Sequence, residues 1–262
     1  MIDYINKDKT IIFSPDYNKT LDIKLISKYN NVIFSDYKLT DNLFDYYANN
    51  NYKNLHCDYS LFNQSVDNLP CSIIILTFGS RFNQSVDNLP CSIINLTFGQ
   101  HFNKSVNNLP SLLTNLTFGS NFNQLVDNLP SSLTNLTFGW GFNQSIDNLP
   151  NSLTDLTFSG DFNQSVDNLP SSLTNLTFGW CFNHPIDNLP CSITNLTFGN
   201  DFNQSINKLP NSVTNLTFGE GFNQSVNKLP IKLKKIKTHS LYLNMKINTI
   251  IFIRKASKCY NY

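Results

Sequence analysis

The chain has 262 residues, of which 40% are hydrophobic, 13% aromatic and only 14% charged, a balance that supports a packed core and excludes a disordered chain. Its formal charge of +1 hides an uneven distribution: residues 1–60 are near balance, residues 61–227 hold three Lys/Arg against ten Asp/Glu, and residues 228–262 hold nine basic residues and no acid. No window approaches a run of about eighteen apolar residues, and residues 1–8 place no basic lead before an apolar stretch, so neither a membrane span nor a secretion signal is expected and the chain reads as cytoplasmic.

Seventeen of the 21 Phe and nine of the 11 Pro fall on a twenty-residue grid, which makes the chain a repeat array. In chain order, residues 1–61 read as degenerate capping coils. Thr10-Ile11-Ile12-Phe13-Ser14, Asn31-Val32-Ile33-Phe34-Ser35 and Asn54-Leu55-His56-Cys57-Asp58 each align with Asn135-Leu136-Thr137-Phe138-Gly139 of the array, so three coils are expected there. Between them, residues 20–29 and 40–47 open on Thr20 and Thr40 and carry Leu21, Leu25 and Ile26, or Leu43, Phe44 and Tyr47, the pattern of short helices with Thr at the N-cap.

Residues 62–230 form the array proper. In the unit at residues 133–152, Asn135-Leu136-Thr137-Phe138 alternates polar and apolar and stops at Gly139, the signature of a short strand with Leu136 and Phe138 on one face. One strand per unit has only the same strand of the next unit to pair with, which gives a parallel ladder stepping about 4.8 Å. Leu133, Leu136, Phe138, Phe142, Ile146 and Leu149 supply the interior, each worth roughly 1.5–3 kcal/mol when buried. Ordering one unit's backbone costs on the order of 20–40 kcal/mol. A single unit is therefore unstable and a stack of them stable. The Pro column at 70, 90 and 110 onward suits the return corner, since Pro cannot donate to a ladder. Asn at 63 and at every twentieth residue to 223 is expected to satisfy turn backbone and to bond to the Asn one coil away. The Asp67, Asp87, Asp127, Asp147, Asp167 and Asp187 column is interrupted by Asn107, Asn207 and Asn227, so hydrogen bonding, not charge, is its role. Cys71, Cys91 and Cys191 share a column and read as small, half-buried, reduced side chains. The fold class that follows is a β-rich solenoid of roughly twenty-residue coils, one short parallel strand per coil, with short helices only near the N-terminus.

Residues 231–262 read as a basic C-terminal cap. Lys235-Ile236-Lys237-Thr238 continues the strand register, Thr249-Ile250-Ile251-Phe252 offers a last strand, and lysines deter pairing at an open edge. The competing use of the tail, over residues 228–258, is to bind nucleic acid or an acidic surface.

On the strand surface, Asn135, Thr137 and their equivalents face outward in almost uniform columns. The two residues after each strand vary instead, and Arg81, His101, Trp140, Asp161, Trp180, Asp201 and Glu220 lie among them. Trp and Arg are common hot-spot types, so partner binding is expected along this rim and the Asn/Thr face. His56, His101, His184 and His239 lie in different coils beside no distinguished nucleophile, and no catalytic residue, metal ligand or cofactor site is expected.

The run Phe-Asn-Gln-Ser-Val/Ile-Asp-Asn-Leu-Pro-x-Ser-Leu-Thr-Asn-Leu-Thr-Phe, as in residues 142–158, resembles the FNIP repeat, with Phe182-Asn183-His184-Pro185-Ile186 in the family's Phe-Asn-x-Pro-Ile form. The resemblance covers residues 62 to about 230 and implies a leucine-rich-repeat-like solenoid of a kind abundant in social amoebae and in giant viruses that infect amoebae. The Asn-, Ile-, Lys- and Tyr-rich flanks are similar to those of the giant-virus members. Residues 1–60 show neither the F-box nor the kinase motifs that precede the repeats in some members. Together these imply a non-enzymatic scaffold that binds a host or viral protein in host cytoplasm. The competing expectation is a structural or surface-ordering solenoid, ice-binding-like or fibre-forming, whose regularity is itself the function.

Overall fold

The computed structural model describes residues 3–39 and 59–238, which belong to two compact units, Met1–Phe142 and Asn143–Tyr262. The first unit carries β1 (Tyr4–Lys7), β2 (Thr10–Phe13), α1 (Ile23–Ile26), β3 (Asn31–Phe34), β4 (Ile75–Thr77), β5 (Asn95–Thr97), β6 (Asn115–Thr117) and β7 (Asn135–Phe138). From β2 onward these strands pair in parallel and in register, with Leu76, Leu96, Leu116 and Leu136 in one row. β1 is the exception. It runs antiparallel to β2, Tyr4 opposite Phe13, through a turn in which Asp8 adopts φ 53, so a hairpin closes the ladder's first edge.

The interior consists of two Phe columns. The strand ring and the corner ring four residues later lie 3.7 Å apart within a coil, as at Phe78–Phe82 and Phe98–Phe102. Between coils, Phe78–Phe98 lie 5.7 Å apart and Phe82–Phe102 6.1 Å apart, inside the range where offset aromatic pairs attract. The strand ladder sets this spacing, so the rings follow the twenty-residue period. Glycine after the strand is required by the same closeness: a Cβ at Gly119 would lie 2.0 Å from the Gly99 carbonyl oxygen. Backbone of adjacent coils meets there, and the glycine supplies proximity rather than turn flexibility.

The first coils depart from the expected plan in two places. Tyr17 takes the corner position beside Phe13, at 4.4 Å, and stacks at 6.2 Å on Phe62. Phe34 of β3 finds its corner partner in Phe62, at 3.8 Å. Residues 35–59 therefore stand where other coils have one glycine. β3 pairs directly with β4, Asn31 opposite Ile75, so the rung expected at residues 54–58 does not stand between them; those residues, like the helix expected at 40–47, lie outside the described residues. The helix at 20–29 is a single turn. Its N-cap is Asp22, whose carboxylate accepts from Leu25 N–H at 3.1 Å, and not Thr20. The Tyr17 hydroxyl donates to the Thr20 carbonyl and Leu21 is buried as part of the coil, which moves the helix start two residues on.

The second unit carries β8 (Asp155–Phe158), β9 (Asn175–Thr177), β10 (Asn195–Thr197), β11 (Asn215–Phe218) and β12 (Lys235–Thr238). It repeats the same parallel register, and β12 adds Lys235 opposite Asn215 as the sequence indicated. The further strand expected at residues 249–252 lies outside the described residues.

The Asn column satisfies turn backbone from one coil to the next. Each Oδ1 accepts from the backbone N–H of the Asn one coil on, as Asn83 N–H to Asn63 at 2.9 Å and Asn183 N–H to Asn163 at 2.9 Å. The first rung is Asn18, which accepts from Asn63 N–H at 3.0 Å. Phe13 and Tyr17-Asn18 have the spacing of Phe78 and Phe82-Asn83, a signal hidden by the Phe-to-Tyr change. In the Asp column, Asp67 accepts from Ser65 Oγ and from Asn88 Nδ2 of the next coil, and Asn107 accepts from Asn128 in the same way. Hydrogen bonding without charge thus serves that turn. Cys71, Cys91 and Cys191 are exposed, not half-buried, because the residue after each Pro sits at the outer corner of a turn that the Pro carbonyl closes onto the third residue on.

Candidate interaction surface

The strand surface and the rim beside it differ in how their polar groups are used. Asn135 is exposed and Thr137 half-buried while Leu136 and Phe138 are sequestered, as alternation along a strand requires. Asn135 Oδ1 accepts from Thr134 Oγ1 at 2.7 Å. In the second unit, Asn195 Nδ2 donates to Asn175 Oδ1 and to Thr194 Oγ1, Asn215 repeats this one coil on, and Thr214 Oγ1 donates to the Thr194 carbonyl. In the second unit the amides of this face are engaged with one another.

The rim follows each strand and is built from unlike residues. In the first unit, Arg81 and His101 occupy the same column on adjacent coils, held by Arg81 N–H to the Ser60 carbonyl and His101 N–H to the Ser80 carbonyl. The imidazole folds back so that Nδ1 lies 2.9 Å from the Ser80 carbonyl oxygen. A carbonyl only accepts, so Nδ1 carries the proton and Nε2 is directed away from that bond. Arg81 is exposed, and no carboxylate among the described residues lies within ion-pair distance of it. These two side chains line an open groove of about 970 Å³ with Gln100, Asn18, Asn63, Asn83, Tyr59 and Leu61. None of the eight is acidic.

The groove borders the Tyr59 end of the insertion at residues 35–59. Asp36 ties its ends together: Oδ1 accepts from the N–H groups of Ser60 and Ser80, each at 2.7 Å, and Oδ2 accepts from Ser80 Oγ at 2.6 Å. Ser60 and Ser80 are buried by this contact. Tyr59, with φ 53 and an exposed ring, then turns the chain into the coil at Ser60. Sequence reading reached Arg81 and His101 through their variability but missed Asp36, Tyr59, Leu61 and the Asn side chains. The available signal for Asp36 was a carboxylate directly after Phe34-Ser35, where the regular coils carry glycine and one variable residue.

The remaining rim residues do not join that groove. Trp140, on the first unit, is 50% exposed and Trp180, on the second, 51%. In the second unit Asp161, Cys181 and Asp201 share a column, with Cys181 Sγ 3.9 Å from Asp161 Oδ1. Burial, then the charges of Asp161 and Asp201, push the Cys181 thiol above its usual range, which disfavours its thiolate. Glu220 is exposed on the coil after. No helix among the described residues is long and apolar enough to cross a membrane.

Stacked coils with one in-register parallel strand each, closed over Leu and Phe columns, define a β-solenoid of leucine-rich-repeat type. The chain belongs to the FNIP Repeat family, whose model matches residues 62–241 in overlapping stretches. Its fold is similar to a crystal structure described as a novel circular LRR protein structure, that of CroV588 from a giant virus, at 34% identity and a TM-score of 0.65 over 90% of this chain. The chain spans 41% of CroV588. No curated protein matches the sequence.

Proposed function

We propose that the protein is a non-enzymatic scaffold that holds a protein partner along the rim beside its strand ladder. The observation that carries this reading is the contrast between a monotonous Asn/Thr face, whose amides bond to each other in the second unit, and a rim whose side chains change from coil to coil and open into a groove at Arg81 and His101 in the first. Surfaces made for one partner need side chains that differ from their neighbours. The repetition of the Ser, Asp and Asn columns within the coil supports the non-enzymatic part, because no His of the array stands beside a Ser, Cys or carboxylate set apart from its copies. The similarity to a giant-virus protein supports a viral scaffold acting in the cytoplasm of its host. Residues 1–61 and 231–262 act as caps to the array of residues 62–230, the lysines of the C-terminal part guarding the edge at β12.

The test is capture from host cell extract by the full chain and by three variants, Arg81→Ala, Trp180→Ala and Asp201→Ala. Loss of a captured protein in at least one rim variant, with the fold retained by circular dichroism, is the expected result. The regular Asn and Thr columns favour a second reading, in which the face orders a repetitive surface. That reading requires Thr177→Leu to abolish function and all three rim variants to leave it intact. Deleting residues 239–262 separates the remaining alternatives for the tail: aggregation marks a cap, and loss of nucleic acid alone marks a binding arm.

A further inference from the structure

The groove in the first unit has a chemistry narrower than protein binding in general, and the inference here rests on the rim reading above. Along the Asn column each Oδ1 is committed to the next coil: Asn18 to Asn63 N–H, Asn63 to Asn83 N–H, Asn83 to Asn103 N–H. The Nδ2 groups of Asn18, Asn63 and Asn83 donate to no acceptor among the described residues. Arg81 contributes a guanidinium with no acidic neighbour among the described residues, and a guanidinium has donors only. Apart from the acceptors of Gln100 and of His101 Nε2, the groove therefore offers mainly donors and one fixed positive charge, while Leu61 and Tyr59 give it an apolar end. What fits is a ligand with acceptors spaced along it and one negative charge.

A polyanion is disfavoured. Residues 61–227 hold ten acids against three bases, and Asp67 and Asp87 lie on the same turns as Asn63 and Asn83, whereas nucleic acid is held by many cations at once. A phosphoryl group, with nearly two charges, is met by clusters of Arg rather than by one. A carboxylate matches a single guanidinium fork in charge and in geometry. We propose that the groove is a docking site for an extended acidic peptide, with one Asp or Glu carboxylate paired to Arg81, main-chain carbonyls facing the Asn amides, and an apolar side chain against Leu61 and Tyr59.

The test is fluorescence anisotropy of the full chain with labelled hexapeptides that place Glu, Gln, Lys or phosphoserine at one central position between apolar residues, and with a single-stranded oligonucleotide. The Glu peptides are expected to bind, their Gln counterparts about tenfold more weakly, as loss of one charge-assisted pair implies. Arg81→Lys, which keeps the charge and loses the fork, should fall between wild type and Arg81→Gln, and Arg81→Glu should lose the Glu peptides and gain the Lys peptides. Arg81 is exposed, so these variants keep the fold, which circular dichroism checks. Equal binding of Glu and Gln peptides, indifference to Arg81→Glu, preference for phosphoserine or for the oligonucleotide, or no binding in the panel overturns the proposal. If rim substitutions still abolish capture of a partner, only the acidic-peptide assignment falls; if they leave capture unchanged, the rim reading falls with it.

Discussion

Single residues in this chain act mainly through the coil above or below. Asp36 is the clearest case, since its carboxylate holds two backbone N–H groups and a hydroxyl on two successive coils at 2.6–2.7 Å. Hydrogen bonds to a charged group contribute about 1.5–3 kcal/mol, so Asp36→Ala should lower unfolding stability in urea by that order and expose residues 59–61 to hydrogen exchange. Asp36→Asn, which keeps an acceptor, should cost less. The Asp column makes a second prediction. Hydrogen bonds from Ser65 and then Asn88 hold the Asp67 carboxyl below its usual range, and bonds from Asn168 and then Ser145 do the same for Asp147. A lowered carboxylate stabilises the fold fully above the unfolded value of about 3.9, and that contribution disappears as pH falls through the folded value. Carbon-detected NMR titration should place both midpoints below an ordinary Asp. Ser65→Ala should raise Asp67 more than Asn88→Ala does, and for Asp147 the ranking should reverse, Asn168→Ala outweighing Ser145→Ala. Such contacts were partly legible: the column and its tolerance of Asn are visible in the sequence, while Asp36 is not, because its partners stand 24 and 44 residues away across an insertion.

At the scale of one coil, strand, corner and ring stack form a unit that the sequence displays almost completely. Alternation within Asn-Leu-Thr-Phe gives the strand, the recurrence gives the partner, and the two Phe per coil give the interior. The worn coils were harder. Tyr17 substitutes for the corner Phe, and the direct contact of Phe34 with Phe62 spans a stretch that a fixed period cannot anticipate. β1 was missed because antiparallel closure depends on a single turn at Asp8 and has no copy elsewhere in the chain. The ring columns set the energetics of the coil. Phe118 lies 3.7 Å from Phe122 and 5.6 Å from both Phe98 and Phe138, fully enclosed. Truncating a buried Phe to Ala typically costs 3–5 kcal/mol, and here the cavity faces three rings held by their own ladders, which limits collapse. Phe118→Ala should therefore fall in the upper part of that range by equilibrium denaturation, with Phe118→Leu nearer the middle of the interval between it and wild type. A loss below about 1 kcal/mol would mean that the rings do not carry the interior.

For the molecule as a whole, periodicity predicts which large changes are tolerated. In the first unit every coil from β4 onward makes the same contacts with the next: strand pairs in register, an Asn accepting one backbone N–H, and two rings in line. Removing residues 102–121, one whole period, places Phe122 directly after His101, so the chain meets the same partners one coil earlier and the groove residues at 81, 100 and 101 stay together. Stability in a stack is a sum over coils and their interfaces, and about 0.05–0.15 kcal/mol per residue is usual for folded chains. The deletion should cost about 1–3 kcal/mol and leave a cooperative urea transition with a smaller m-value, since less surface is exposed on unfolding. Removing residues 102–111, half a period, forces Phe and Leu columns against turn positions and moves apolar side chains to the outside. That variant should lose the transition altogether and become sensitive to protease through the array. If both deletions behaved alike, the coils would not be interchangeable, and the equivalence of their contacts would have no energetic meaning.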